Sequence, residues 1–597
     1  MVATKPIHTF HIPVMGLAFT IDSPIRVAQY GISSAISIID DDLIERMRAF
    51  YCKKFNIPYK EITQKIYDYR AERITSYLNM VDEIVQDKFE NFKSELIQSR
   101  SKLEGFLSML PNSSEIKAKL QACLSEGKQL SDKLAMYIED YCRPGNIDVN
   151  IMTKVDKDNF EGKEQLPITF NDAHASLRGF ANSKLKASVV LSAGMNPRLF
   201  TYFEQFSDFY PDSQFTIKKS IIVKVSDYRS AFIQGCFLAK KGLWVSEYRI
   251  ESGLNCGGHA FATDGYLMGV ILQEFKDKKN DLVTATHELL VKALVAKSLP
   301  VPSVPLPVKI TAQGGVGTSE EHHFLIDYYQ LDSVGWGSPF LLVPEATSVD
   351  AETRQLLINA KEDDFYVSNI SPLGVPFNTV KGMSNSYWKQ KRINENKAGS
   401  SCPKRFLALT KEYDPKGLCT ASKKYQDIKL AELQTGIMIP EAYENAKEII
   451  TEKACLCVGL ANSSYLEQNL PIKGQQQGVV ICPGPNLAYF DKEVSLQQMV
   501  QHIYGNNNIM TIQNRPNMFI KELKMYISYL QKEITASALQ VTAVQQKKWQ
   551  SFVGNLLEGI KYYEILFTKQ PQFVMQKQTN LAQLHYCKEE LLRIKFL

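Results

Sequence analysis

The chain has 597 residues, a net charge of +5, and 44% apolar and 22% charged residues, so one large domain with additions, or two to three domains of ordinary globular composition, is expected. So small a charge, with no Lys/Arg block or basic stripe, gives nucleic-acid binding no electrostatic support, and no run approaches the roughly 18 apolar residues of a membrane span. The N-terminus lacks the basic-then-apolar layout of a signal peptide, and eleven scattered cysteines argue for reduced thiols and a cytoplasmic home.

Ile12 to Gly16 reads as a short buried strand. Ser23-Pro24 then starts a helix, Ser as N-cap and Pro at N1, which runs from Ile25 to Tyr30 and stops at Gly31. Ile32 to Ile39 is the next strand, giving a βαβ unit with turn-length connections. From Asp40 to Tyr141 this rhythm breaks. Apolar residues at Ile74, Leu78, Val81, Val85 and Phe89, with charges between, predict a helical insertion turning at Pro111–Ser114. A lid, a scaffold or an arm for homo-oligomerisation are all open roles for it.

The strand–helix alternation resumes at Asp148–Met152 and continues with strands at Ala187–Leu191, Ser220–Val225 and Leu243–Glu247. The helices between them are Ala173–Asn182, Arg198–Phe209 and Tyr228–Lys241. Val308 opens a seventh strand that stops at Gly314-Gly315; a helix over Glu320–Tyr329 and an eighth strand ending at Gly335–Ser338 follow. Eight βα repeats predict a closed (β/α)₈ TIM barrel, finished by a helix over Ala351–Glu362. The expected organisation is barrel strands 1 and 2 in 1–40, the helical insertion in 41–146, and strands 3 to 8 in 147–365. A mixed region, 366–520, wraps the barrel and a helical segment, 521–597, ends the chain, so the C-terminal extension is mostly helical.

Barrel active sites lie at the C-terminal ends of strands. Those ends carry Met15-Gly16, Asn150, Ser192-Ala193-Gly194, Lys224, Gly257-Gly258-His259, Gln313-Gly314-Gly315 and Gly337-Ser338. Small residues beside polar ones suit a large flat ligand with a phosphate tail, because glycine lets N–H groups close on an anion and a helix N-terminus adds positive potential. A flavin also needs donors near N1/O2, and Lys224 can supply one.

The loop Gly253-Leu-Asn-Cys-Gly-Gly-His259 resembles the glycine-rich histidine loop of nitronate monooxygenases, formerly 2-nitropropane dioxygenases, whose barrel FMN-dependent enoyl-ACP reductases share. Val149–Met152 resembles their third strand and Val223-Lys224 the lysine strand of the monooxygenases. Ala312–Val316 and Gly337–Phe340 are similar to the two phosphate loops, and Lys453–Leu460 to a cysteine-containing motif near the C-terminus. The resemblance covers roughly 10–40, 147–350 and, weakly, 450–500. It implies FMN held by Met15, Gly16, Asn150, Lys224, Gly257, Gly258, Gln313, Gly314, Gly315, Gly337 and Ser338. His259 would be the catalytic residue, facing a small-molecule substrate. In a nitronate oxidation His259 acts as base or hydrogen-bonds the nitro group; in an enoyl reduction it orients the carbonyl or supplies a proton. The second reaction takes NAD(P)H as donor, and without a Rossmann fingerprint the nicotinamide must bind over the flavin. A non-catalytic scaffold is the third reading. The chain departs from the family at Asn255, where Glu is usual, and in its long insertion and C-terminal part.

Three other groupings read as structural. Cys402, Cys419, Cys455 and Cys457 lack paired C-x₂₋₄-C spacing and are expected as reduced thiols rather than a metal site. His322-His323 are expected as a surface pair, and Asp40-Asp41-Asp42 as a helix N-terminus complementing the dipole.

Overall fold

The computed structural model describes residues 6–126, 131–192, 194–256, 264–436, 439–472, 478–512, 514–536 and 541–594. Eight short strands form a closed parallel barrel: β1 (Phe10–Ile12), β2 (Ser33–Ser37), β3 (Ile147–Ile151), β4 (Ser188–Leu191), β5 (Ser220–Val225), β6 (Val245–Glu251), β7 (Lys309–Gln313) and β8 (Ser333–Gly335). Each pairs with its neighbour in chain order, and β8 returns to β1 through Phe10 opposite Val334 and His11 opposite Gly335. The β-branched rows Ile147/Val149/Ile151 and Ile221/Val223/Val225 belong to the apolar layer between barrel and helices.

The helices of the first part are α1 (Ser23–Val27), α2 (Asp41–Lys54), α3 (Tyr69–Gln98), α4 (Arg100–Met109), α5 (Glu115–Glu126) and α6 (Ser131–Tyr141). Those following later strands are α7 (Asp172–Asn182), α8 (Pro197–Tyr202), α9 (Tyr228–Ala239), α10 (Met268–Ala296), α11 (Ser319–Asp327) and α12 (Ala351–Asn359). Side-chain oxygens of Asp40, Asn196, Asp227, Thr318 and Asp350 cap the first turns of α2, α8, α9, α11 and α12. Asp40 does this by accepting the Leu43 N–H at 3.0 Å, the helix-start role expected of the acidic triplet.

Where one helix would join β2 to β3, α2 to α6 intervene. All five apolar positions read from the periodicity of α3 are buried, and the chain turns at Pro111–Ser114 between α4 and α5. A buried ion pair fixes this insertion to the barrel, Arg70 of α3 on Asp172 of α7, while Arg70 and Arg73 both meet Asp41 and so hold α3 to α2 within the insertion.

Several boundaries differ from expectation. α1 begins at Ser23 itself, with Asp22 at the N-cap position and no side-chain cap, and gives way to a 3₁₀ turn over Ala28–Tyr30. β1 ends at Ile12, leaving Met15 and Gly16 in the loop beyond it, and β6 runs on to Glu251 rather than stopping at Glu247. The long helix α10 has no counterpart in the sequence reading, because the charged run Lys276–Asp281 interrupts its apolar stripe.

After α12 come the hairpin β9 (Phe365–Ser368) with β10 (Phe377–Val380), then α13 (Ser384–Asn394), α14 (Lys423–Thr435), α15 (Pro440–Glu452) and α16 (Leu456–Glu467). The chain ends in α17 (Leu496–Ile503), α18 (Met518–Ala536), α19 (Ala543–Lys569) and α20 (Lys577–Arg593). α18 and α19 pack on α10. The insertion is touched by α17, where Gln497 donates to Ser108 at 2.7 Å, and by α16, where Ser464 donates to the Met47 sulfur at 3.5 Å. All eleven cysteines are free thiols. Among the described residues no helix is long and apolar enough to cross a membrane, and no group of three or more His, Cys, Asp or Glu is placed to hold a metal ion.

Candidate active site at the barrel mouth

Barrel interiors of this kind are usually filled by branched apolar side chains. Here the lumen is charged. Arg249 of β6 pairs with Asp148 of β3 at 3.0 Å, across the lumen, and with Glu247 at 2.8 Å; Glu247 also accepts the Thr311 hydroxyl at 2.6 Å. Beside them the His11 Nδ1 lies 2.9 Å from the Ser333 hydroxyl. Burial raises the Asp148 carboxyl above its ordinary range although Arg249 pulls the other way.

One layer nearer the strand C-termini, Glu251 gathers three donors on its Oε1: Lys224 Nζ at 3.1 Å, Gln313 Nε2 at 2.7 Å and Asn255 Nδ2 at 2.9 Å. Its Oε2 is buried without a partner, as are Asn150 Oδ1 and Gln313 Oε1. The Lys224 ammonium thus spends one of its three N–H groups on Glu251 and keeps two for another acceptor. Glu251 is not marked by the sequence because the expected strand stops at Glu247, four residues short of the observed end.

The two glycine loops lie beside this cluster. Gly314 and Gly315 take φ of +113° and +84°, and α11 begins just beyond them. Among the described residues the N–H groups of Gly315 and Val316 have no hydrogen-bond partner, nor does that of Ser338, which opens the short helical turn Ser338–Leu342. Met15 is buried; its Cγ lies 3.7 Å from where a Cβ on Gly337 would stand, so the loop after β1 meets the loop after β8. The structure therefore brings together Met15, Gly16, Asn150, Lys224, Gln313, Gly314, Gly315, Gly337 and Ser338. Gly257, Gly258 and His259 lie outside the described residues.

Three residues the sequence did not flag support the loop after β7. Arg515 donates to the Gly315 carbonyl at 2.6 Å, to Glu321 Oε1 at 2.7 Å and to Asn486 Oδ1 at 2.7 Å. Glu321 also accepts the Gly317 and Met518 N–H groups, and Asn486 donates to the Val316 carbonyl at 2.8 Å. No local pattern marks Arg515, because its partners are distant in sequence. The Ser338 hydroxyl is likewise engaged, accepting the Gly484 N–H at 3.0 Å.

The expected surface pair His322-His323 is corrected at its first member. His322 is fully buried: its Nδ1 accepts the Trp336 indole N–H at 3.2 Å and its Nε2 faces the Thr9 hydroxyl at 2.9 Å. Since an indole N–H can only donate, the imidazole is neutral there, and burial pushes its pKa down to about 3. His323, on the next helix position, is exposed as expected.

FMN fits this arrangement on two counts. The unpaired N–H groups after β7 and at Ser338 suit a phosphate, and the buried acceptors Asn150 Oδ1, Gln313 Oε1 and Glu251 Oε2 call for donors of the kind a flavin ring N–H offers. Next to the mouth a cavity of about 700 Å³ opens between the loops after β4, β5 and β6 and helix α19, with Met195, Asp227, Arg229, Tyr266 and Lys548 on its wall.

No family model and no curated protein matches the chain. Among solved structures it is similar to the enoyl reductase domain of MlnA from the macrolactin biosynthesis cluster of Bacillus amyloliquefaciens, at 14% identity and a TM-score of 0.33, covering 68% of this chain and 87% of that one. It is also similar to FabK from Thermotoga maritima (11% identity, TM-score 0.30, 69% and 86% covered). A third likeness is to nitroalkane oxidase from Streptomyces ansochromogenes (10% identity, TM-score 0.28, 63% and 83% covered). At these scores the likenesses carry no weight beside the strand pairing, on which the barrel rests.

Proposed function

We propose that the chain is an FMN-dependent oxidoreductase of the nitronate monooxygenase type, oxidising a small carbanion-like substrate of the alkyl nitronate class with oxygen as acceptor. The observation that carries the cofactor is the meeting, at one barrel mouth, of unpaired N–H groups at Gly315, Val316 and Ser338 with donor-less buried oxygens on Asn150, Glu251 and Gln313. Bound there, FMN would supply two-electron redox chemistry. The protein's own residues divide the remaining work. The backbone at 315–316 and 338 binds the phosphate, and Arg515 holds the Gly315 carbonyl so that the loop keeps its shape. Glu251 anchors Lys224, whose remaining N–H groups offer positive charge to an anionic group. His259 is assigned the proton transfer, or the hydrogen bond to the nitro group, by the resemblance of its loop.

A second reading, reduction of an enoyl thioester with NAD(P)H, is favoured by the 700 Å³ cavity beside the mouth, which exceeds what a small nitronate needs. The two separate in an oxygen-free cuvette. Propyl-2-nitronate should bleach the bound flavin within the mixing time while NADPH leaves it oxidised. Bleaching by NADPH alone would transfer the assignment to the reductase, and a flavin inert to both would return the scaffold reading.

A further inference from the structure

The segment joining β6 to α10 begins at Ser252 and ends at Met268, and one carboxylate holds both ends. Glu522 of α18, 1% exposed, accepts the Ser252 hydroxyl on Oε1 at 2.6 Å and the Met268 N–H on Oε2 at 2.8 Å. The neighbouring residue at each end is held as well. Tyr526, one turn along α18, accepts the Gly253 N–H at 3.1 Å, and Tyr563 of α19 accepts the Gly269 N–H at 3.1 Å. Both backbone positions are glycine for a visible reason. A Cβ on Gly253 would stand 2.6 Å from the Tyr526 ring, and one on Gly269 2.5 Å from the Tyr563 ring. Three side chains from two C-terminal helices thus bind four donors, two at each end of one segment.

Stability alone is a poor reason for this arrangement. A buried carboxylate without a cation costs free energy that its hydrogen bonds only partly return. Glu522 has no ion pair among the described residues; Tyr526 on its own helix and Tyr563 on α19 are the titratable groups facing it, and its donors are the Ser252 hydroxyl after β6, the Met268 N–H of α10 and, at 3.4 Å, the Tyr526 hydroxyl. Burial lifts its pKa to about 7. Ionised, it accepts from both ends at once. Protonated, its O–H meets oxygens that otherwise donate to it, the Ser252 hydroxyl at 2.6 Å and the Tyr526 hydroxyl at 3.4 Å, and the one that accepts has to turn its proton elsewhere.

We infer that Glu522 is a positioning residue of the barrel mouth, setting the separation of Ser252 and Met268 and so holding the stretch from Ser252 to Asn255, whose Asn255 donates to Glu251 at 2.9 Å. Its catalytic consequence rests on the function proposed above, while the brace itself does not. This gives the C-terminal helices a task that neither the barrel nor the insertion performs.

The test is amide hydrogen exchange of the full-length protein at Gly253, Met268 and Gly269, corrected for intrinsic rates, across about one pH unit either side of 7. Glu522→Ala should speed exchange at Met268 by about tenfold or more. Glu522→Gln, whose amide oxygen still accepts, should restore protection there and abolish the pH-dependent step that the wild type shows near neutrality. Tyr526→Phe, which keeps the ring and loses only the hydroxyl, should expose Gly253 most, since that hydroxyl otherwise makes only a long 3.4 Å bond to Glu522 Oε1, and serves if the alanine variant fails to fold. Unchanged exchange at Met268 in Glu522→Ala, or at Gly253 in Tyr526→Phe, overturns the brace. So does an identical pH step in Glu522→Gln. Adding FMN and propyl-2-nitronate separates the two claims: slower flavin reduction in Glu522→Ala, partly rescued in Glu522→Gln, supports the link to chemistry. Normal exchange changes in a protein that binds no flavin overturn the link and the proposed function together, leaving the brace supported.

Discussion

Arg249 is the residue whose loss should be felt most. It stands among Asp148 and Glu247 with 3% exposure, and its removal leaves two carboxylates facing each other in the lumen. Breaking a buried pair by deleting one partner costs about 3–5 kcal/mol, so Arg249→Met should lower the unfolding free energy by that margin, seen as a lower urea midpoint at an unaltered slope. Among the described residues burial lowers the pKa of four imidazoles, His8, His11, His322 and His502, and two of them show the size of the effect. His8 donates from Nε2 to the Tyr30 carbonyl and has Tyr504 at Nδ1, and burial lowers its pKa to about 4; that of His322 is about 3. In the unfolded chain both titrate near 6.5. Between these limits the unfolded state binds more protons, so stability rises with pH up to about 6.5 and is flat above it as far as these two groups are concerned. At about pH 5 each should cost the fold roughly 2 kcal/mol. Urea melts at neutral pH and near pH 5 check this, with a shallower loss expected in His322→Gln; equal losses in variant and wild type would remove His322 from the account.

At the scale of elements, the loop after β7 is shaped from outside the barrel. Arg515 neutralises Glu321 and fixes the Gly315 carbonyl, so Arg515→Ala should weaken FMN by about tenfold or more while leaving riboflavin, which has no phosphate, nearly unaffected. Equal losses for both ligands would mean that Arg515 serves the ring end or the fold. A side chain at position 315 is a worse probe, since its Cβ would lie 2.6 Å from Leu254 and its backbone sits at φ +84°. Much of this level was legible in the sequence where a local rule writes it. The period of Ile74, Leu78, Val81, Val85 and Phe89 reports the buried stripe of α3, Pro111–Ser114 reports a turn, and alternation with glycine stops reports the strands. What stayed hidden depends on tertiary encounter. Arg515, Asn486 and Glu522 reach the mouth from the far end of the chain, and His322 becomes a buried acceptor only because Trp336 faces it. α10 was obscured by its own charges, which face solvent on a helix too long for one apolar stripe to dominate.

For the whole molecule, the barrel supplies a polar mouth and the C-terminal part closes around it. Segments near Gly484, Asn486, Arg515 and Glu522 all touch strand-end loops, and the insertion is tied to the flank by Arg70 on Asp172. The central claim is that this mouth is a flavin site. The visible absorption spectrum of the purified full-length protein, followed by equilibrium titration with FMN and with riboflavin, tests it most directly. The account predicts the two-banded spectrum of an oxidised flavin, either as purified or after FMN is added, and FMN bound at least about tenfold tighter than riboflavin because unpaired backbone donors await its phosphate. A protein that is colourless and stays so with both ligands would contradict it, and the unpaired atoms of Asn150, Glu251 and Gln313 would need another partner.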